Sequence, residues 1–432
     1  MRVKAVVSLL LFAVAAWGQG TFHGNLARNG VYADAGPKTL GGVKWTFKAG
    51  GPVVGSPTVA DGVIYIASLD GYMHAIDEET GKEKWNFKSS MPIASTPAVA
   101  NGTLYFVSSR GALAALDIAT GKPKWVCPTE YERKFEAKNL HGYPSPAQTI
   151  PDAWDIYISS PAVDGNKVIF GSGDGNVYAV DASNGQVLWK SATGDIVHAS
   201  PAVANGMVYI GSWDSRFYAL DEETGLEKWH FQAGEDPIVH NQVGFQSSAA
   251  VDGGVVYVGC RDGHVYALDA ATGKKRWDYP TAKSWVNGTP AVRDGVVYVG
   301  TSDSSRFMAL DARNGRLRWN FDAKAYMFSS AALAGDLAYV GDHNGRLYAV
   351  DIKTGKLAWE FVTEGAKADP MKVLTAEGRL NQDAFAPLFH DFEDMYLDFA
   401  KFASVGAVVG SPVVDKGVVF FGSMDGNVYA LR

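Results

Sequence analysis

The stretch Ser56–Trp85 reads SPTVADGVIYIASLDGYMHAIDEETGKEKW. Short apolar runs are separated in it by Asp61-Gly62, Asp70-Gly71 and Thr80-Gly81. Two-residue Asp-Gly punctuation between runs rich in Val, Ile and Tyr is the signal of antiparallel strands joined by tight hairpins. The stretch then recurs. A Ser or Thr opens each copy and a Trp closes it, in the pairs Ser56/Trp85, Thr96/Trp125, Ser160/Trp189, Ser200/Trp229, Ser248/Trp277, Thr289/Trp319 and Ser330/Trp359. The two marks stand 29 residues apart in every pair except Thr289/Trp319, where they stand 30 apart. Four short strands repeated about every forty residues describe a propeller blade.

The ring closes on itself. Ser411 opens three further strands that run to Leu431 and Arg432 with no Trp behind them. The missing fourth strand stands at the other end, Gly42 to Phe47, with its own Lys44-Trp45. A blade shared between the termini leaves no sheet edge open at the seam. The expected fold is all-β, an eight-bladed propeller of four-stranded antiparallel blades closed by the N- and C-terminal strands.

The unit Ala-Leu-Asp-x-x-Thr-Gly-x-x-x-Trp, seen in Ala219-Leu220-Asp221 to Trp229 and in Ala267-Leu268-Asp269 to Trp277, resembles the pyrroloquinoline-quinone (PQQ)-type propeller repeat. The resemblance covers nearly all of the chain after its leader. It implies one of two functions: that of the quinoprotein alcohol dehydrogenases, or that of the non-catalytic propeller lipoprotein of the outer-membrane assembly machinery. The repeat speaks for the fold, whereas function lies in sites grafted on it. The chain departs from both groups. It has no Cys before Cys127 to carry a lipid, and it lacks the vicinal Cys pair and the greater length of the dehydrogenases.

Residues 1–18 read as a secretory signal, with basic Arg2 and Lys4, an apolar Ala5–Ala16 and small residues around Trp17. The apolar part is too short to span a bilayer. Residues 19–432 are then one propeller, periplasmic or secreted, expected as a monomer with no transmembrane segment and no lipid anchor. Without Arg2 and Lys4 the net charge moves from −7 to −9, and no basic run exists, so nucleic acid is excluded as a partner. Cys127 and Cys260 fall in the second and fifth blades, too far apart to pair, and read as small buried residues.

The gap from a Trp to the next opening mark is 11 or 12 residues at most blades, but 35 after Trp125, 19 after Trp229 and 52 after Trp359. The insertions, 131–156, 232–245 and 362–406, all join a last strand to the next first strand and so emerge on one face. Long loops gathered on one face of a rigid scaffold are a usual place for a binding site. In 362–406, Asp369-Pro370 reads as a helix start, and Phe392, Met395, Tyr396, Phe399 and Phe402 fall at helical spacing, which suggests a small cap. The polar leader Thr21–Lys38 reads as a strap across the closing blade.

Candidate site residues emerge where the repeat is broken. Two places before each opening mark the chain carries Val54, Ala94, Ile158, His198, Gln246, Asn287, Phe328 and Val409. The polar members occupy consecutive blades, four to six. Beside them stand His240, Asn241, Arg261 and Asp262, and the three Trp outside both repeat and signal, Trp154, Trp213 and Trp285, fall on the insertion face. A ligand or cofactor site is therefore expected at His198, Trp213, His240, Asn241, Gln246, Arg261, Trp285 and Asn287, with His141 as a weaker candidate. PQQ would need an aromatic platform (Trp213 or Trp285), an anion partner (Arg261) and carboxylates for Ca²⁺ (Asp214 or Asp262). Asp214 and Asp262, however, take the place of turn residues such as Asp70, Asp174 and Asp425. Gly171-Ser-Gly-Asp and Gly211-Ser-Trp-Asp are strand turns, and the nine His show no metal-ligand spacing. The expected function is a non-catalytic binding or scaffold protein, with no cofactor required, that meets a cell-envelope protein or small-molecule ligand through its insertion face. The alternative is a compact PQQ- and Ca²⁺-dependent dehydrogenase of small alcohols or sugars at the same face. A third reading is a sugar or peptide stacked on Trp154, Trp213 and Trp285 without chemistry.

Overall fold

The computed structural model describes residues 20–109, 111–130, 132–133, 135–137, 148–150, 157–234, 244–385 and 392–432. Eight four-stranded antiparallel blades form the molecule. Blade one comprises Thr58–Ala60, Val63–Ala67, Tyr72–Asp77 and Glu83–Lys88. The other blades follow in chain order, and in the eighth Val43–Lys48 pairs with Asn427–Leu431 at the seam. The core lies between neighbouring blades. Tyr209, Phe217 and Phe245 of one side, for example, meet Val256, Val258 and Leu268 of the next.

The repeat's conserved-looking letters each answer to a contact. In the last turn of blade one, Asp77 Oδ1 accepts from Thr80 N at 2.9 Å and from Thr80 Oγ1 at 2.8 Å. The following Gly81 has φ +70°, and a Cβ on it would stand 2.7 Å from the Trp45 ring of the preceding blade. Every closing Trp donates its indole N–H across the same boundary: Trp85 to Ile118 O, Trp125 to Ala182 O, Trp189 to Glu222 O and Trp229 to Ala270 O. The Tyr of the second strand, tilted against the closing Trp, adds a bond to that carbonyl, as Tyr209 does to Ala270 O at 3.1 Å. The opening Ser/Thr hydroxyls form a girdle about the axis. Among the described residues seven of the eight, all but Thr289, accept the backbone N–H of the mark in the blade before: Ser56 N to Thr96 Oγ1 (3.0 Å), Thr96 N to Ser160 Oγ (3.0 Å), Ser160 N to Ser200 Oγ (2.9 Å), and so on to Ser411 N on Ser56 Oγ (2.8 Å).

The leader does more than cross the closing blade. Leu26, Ala27, Asn29 and Gly30 offer their carbonyls to Val203, Val251, Val292 and Leu333 on the first strands of blades four to seven. Val31–Tyr32 adds a parallel strand to blade seven, and Gly20 pairs with Val99 of blade two. The leader is thus a floor beneath the channel, and it also meets the closing blade, where Tyr32 packs against the cluster of Val414 and Val419 and Asp34 accepts from Lys416 N at 2.8 Å. Its end also repairs the seam. At the seam Pro37 O takes the Trp359 indole at 2.9 Å and the Tyr339 hydroxyl at 3.1 Å, the part a turn carbonyl plays at other blade boundaries.

The last insertion holds helices Glu364–Ala368 and Phe392–Ser404. Asp369 ends the first of them and does not start one. It caps the C-terminus at φ 35°, and its carboxylate accepts from Val373 N and Leu374 N downstream. Thr363 is the real N-cap: its Oγ1 accepts from Ala366 N at 3.2 Å and donates to Val405 O at 2.9 Å, which ties the two ends of the insertion together.

Candidate functional site

The eight positions before the opening marks ring the mouth of the channel, and the cap divides them. Val373, Leu380, Phe385, Phe402 and Val405 of the cap bury one apolar cluster with Val54, Ala94 and Val409. Tyr157, missed in the sequence for want of any pattern, joins it and donates to Val409 O at 2.9 Å. The opposite arc, blades four to six, is polar. His198, Gln246 and Asn287 are all buried there and line, with the hydroxyl girdle and Phe22 of the floor, a small, partly open cavity of about 40 Å³.

Three loops from blades four, five and six bring the aromatic and basic candidates together. The Arg261 guanidinium lies 4.7 Å from the Trp213 ring and 4.7 Å from the Trp285 ring, a cation held between two indoles. Arg261 is 0% exposed, Trp213 3% and Trp285 9%. Cation–π contacts of this desolvated kind contribute about 2 kcal/mol each. Arg261 Nη2 also donates to Gln246 Oε1, so the stack is joined to the channel wall. His198 meets Trp213 edge-on at 6.2 Å, and its Nε2 lies 3.4 Å from Glu132 Oε1, a first-insertion carboxylate that carries no recognisable sequence signal. Asn287 has neither amide atom bonded. His141, Trp154, His240 and Asn241 lie outside the described residues.

The two carboxylates considered for Ca²⁺ serve their turns. Asp214 accepts from Arg216 N (2.9 Å), Gly194 N (2.7 Å) and the Tyr218 hydroxyl. Asp262 accepts from His264 N (3.1 Å), Gly234 N (3.0 Å) and the Tyr266 hydroxyl. Burial works against ionisation of Asp262, yet its bonds from His264 and Tyr266 outweigh that and hold the carboxyl below its ordinary range. Among the described residues no group of three or more His, Cys, Asp or Glu gathers that could hold a metal ion. Cys127 and Cys260 are buried free thiols.

A family model described as Outer membrane protein assembly factor BamB matches residues 34–147, 152–284 and 240–383. The chain belongs to this family. BamB from Moraxella catarrhalis superposes on it with a TM-score of 0.63 at 17% identity, covering 90% of this chain and 97% of that one. The quinohemoprotein alcohol dehydrogenase from Comamonas testosteroni superposes at 0.68 and 16% identity, over 95% and 80% of the two chains. At such identities the likeness is one of fold alone. Among curated relatives, quinohemoprotein alcohol dehydrogenase ADH IIB of Pseudomonas putida is 38% identical over 104 residues, 22% of this chain and 14% of that protein. The serine/threonine-protein kinase AfsK of Streptomyces griseus is 35% identical over 133 residues, 29% and 16%. The matches to these relatives thus cover no more than about a sixth of their length, the extent of a few shared blades. Within this chain the opening Ser/Thr and the closing Trp recur from blade to blade, whereas Trp213, Arg261 and Trp285 stand outside the recurring marks.

Proposed function

We propose that this member of the BamB-type family is an extracytoplasmic binding or scaffold protein that docks a cell-envelope protein on its insertion-bearing face. The observation that carries this reading is that the groups a cofactor would need, the indole faces and the carboxylates, are already engaged within the protein. The facing sides of Trp213 and Trp285 are filled by Arg261, and the carboxylates of Asp214 and Asp262 are spent on their own turns and tyrosines. An aromatic platform and Ca²⁺ ligands for PQQ would require this arrangement to be dismantled, so the described residues do not fit that group. The face itself offers apolar surface, with Met371 45% and Leu397 52% exposed on the cap. Residues 1–18 serve as the export signal in this reading, and no helix among the described residues is long and apolar enough to cross a membrane.

A photo-crosslinking amino acid at Leu397 or Met371 is expected to capture one discrete envelope protein in intact cells. The same group at Leu226, 66% exposed in the turn before an outer strand, is expected to capture none. Equal capture from all positions, or none from the cap, overturns the docking face. Titration with PQQ and Ca²⁺ separates the alternative dehydrogenase reading: the melting temperature is expected to stay flat. A saturable, Ca²⁺-dependent rise would restore the enzyme, since a ligand that binds only the native state must stabilise it.

A further inference from the structure

We propose that the small cavity at the centre of the channel binds one small monovalent anion of halide size. The hydroxyl girdle supplies the donors. Each of its Oγ atoms with a bond accepts a backbone N–H, and none of the eight hydroxyl protons has an acceptor among the described residues. All eight girdle residues line the same small cavity. Asn287, 5% exposed on its wall, adds an amide whose N–H₂ has no hydrogen-bond partner among the described residues.

The floor supplies the charge. Arg28 is 0% exposed, and its guanidinium lies 5.3 Å from the ring of Phe22, which closes the cavity from below. Its bonds all end on neutral oxygens: Pro201 O at 3.0 Å, Thr21 Oγ1 at 2.8 Å, Phe22 O at 2.5 Å, and Ser160 O and Pro161 O at 3.3 Å each. Burial lowers its pKa to about 9, so it is still a cation at neutral pH. A buried charge is normally paired, and hydrogen bonds to carbonyls solvate this one without neutralising it. Glu132, the carboxylate that reaches the mouth, is held on His198. Water occupies roughly 10–15 Å³ of such space per molecule, so about 40 Å³ accommodates a halide with a companion water. Donors converging on a small cavity, with the Arg28 cation behind its floor and no acidic partner for that cation among the described residues, favour an anion over water alone.

Crystals of the purified protein soaked in sodium bromide are expected to show one anomalous peak inside the girdle. The melting temperature is expected to rise saturably with chloride or bromide and to stay unchanged with gluconate, too large to enter, at equal ionic strength. Asn287→Asp, which adds a negative charge to the wall, should weaken the apparent bromide affinity at least about tenfold. Asn287→Ser keeps a neutral donor and should retain the binding, which guards against a folding defect in the first variant. A channel that shows only water at saturating bromide, or equal melting temperatures in chloride and gluconate, overturns the site.

Discussion

Gly225→Ala is expected to destabilise the protein by about 2–5 kcal/mol, and Gly206→Ala in the same blade by only about 1–2 kcal/mol. Both glycines have left-handed backbone, φ +69° and φ +72°. Each alanine therefore bears the conformational cost of roughly 1–2 kcal/mol. They differ in what the added methyl group meets. At Gly206 nothing lies within 4 Å, whereas at Gly225 the Cβ would stand 2.5 Å from the Trp189 ring. That ring cannot withdraw, because its N–H is bonded to Glu222 O at 2.9 Å across the blade boundary. Overpacking at such a contact adds about 1–3 kcal/mol. Urea unfolding of the two variants checks the difference. Equal losses would mean that the inter-blade Trp contact is loose and that the Gly serves only its turn.

Acidification is the second large effect. His23 and His343 are each 1% exposed, and burial lowers both from 6.5 to about 4. The unfolded imidazoles take up a proton below about 6.5, the folded ones only below about 4. Stability is therefore complete above the upper value, is lost as pH falls through this window, and levels off beneath it. A depression of this size corresponds to about 3 kcal/mol per histidine. Asp342, next to His343, acts in the opposite sense: burial raises it to about 6, so its contribution is present at low pH and lost as pH rises through that value. Wild type and His343→Leu compared by chemical denaturation at pH 7 and pH 4 isolate the His343 share. The wild type should lose about 3 kcal/mol more over that interval than the variant. Parallel pH curves would show that His343, packed 4.4 Å from Phe328 and 5.1 Å from Phe402, does not titrate on unfolding.

Much of the fold was legible because its determinants are local. Asp-Gly pairs set hairpins, Asp77 finds Thr80 three residues on, and alternation sorts the faces of each strand. The polar arc was legible as well, since His198, Gln246 and Asn287 stand out against the same position in five other blades. Asp369-Pro370 was misread for a local reason. Asp is a good helix N-cap and Pro a good first residue, but the helix had already begun at Thr363, and Asp369 took the left-handed conformation that ends it.

The sequence by itself determined the blade, the number of blades and the shared seam, because each repeat carries its own turns and its own closing Trp. Only the tertiary structure decided that Arg261 is gripped by Trp213 and Trp285, that Phe22 and Arg28 floor the channel, and that Pro37 completes the blade boundary left open by the termini. Those contacts join residues from separate blades or from a leader with no periodicity. They rest on backbone carbonyls and ring faces, which every sequence has and no local pattern marks.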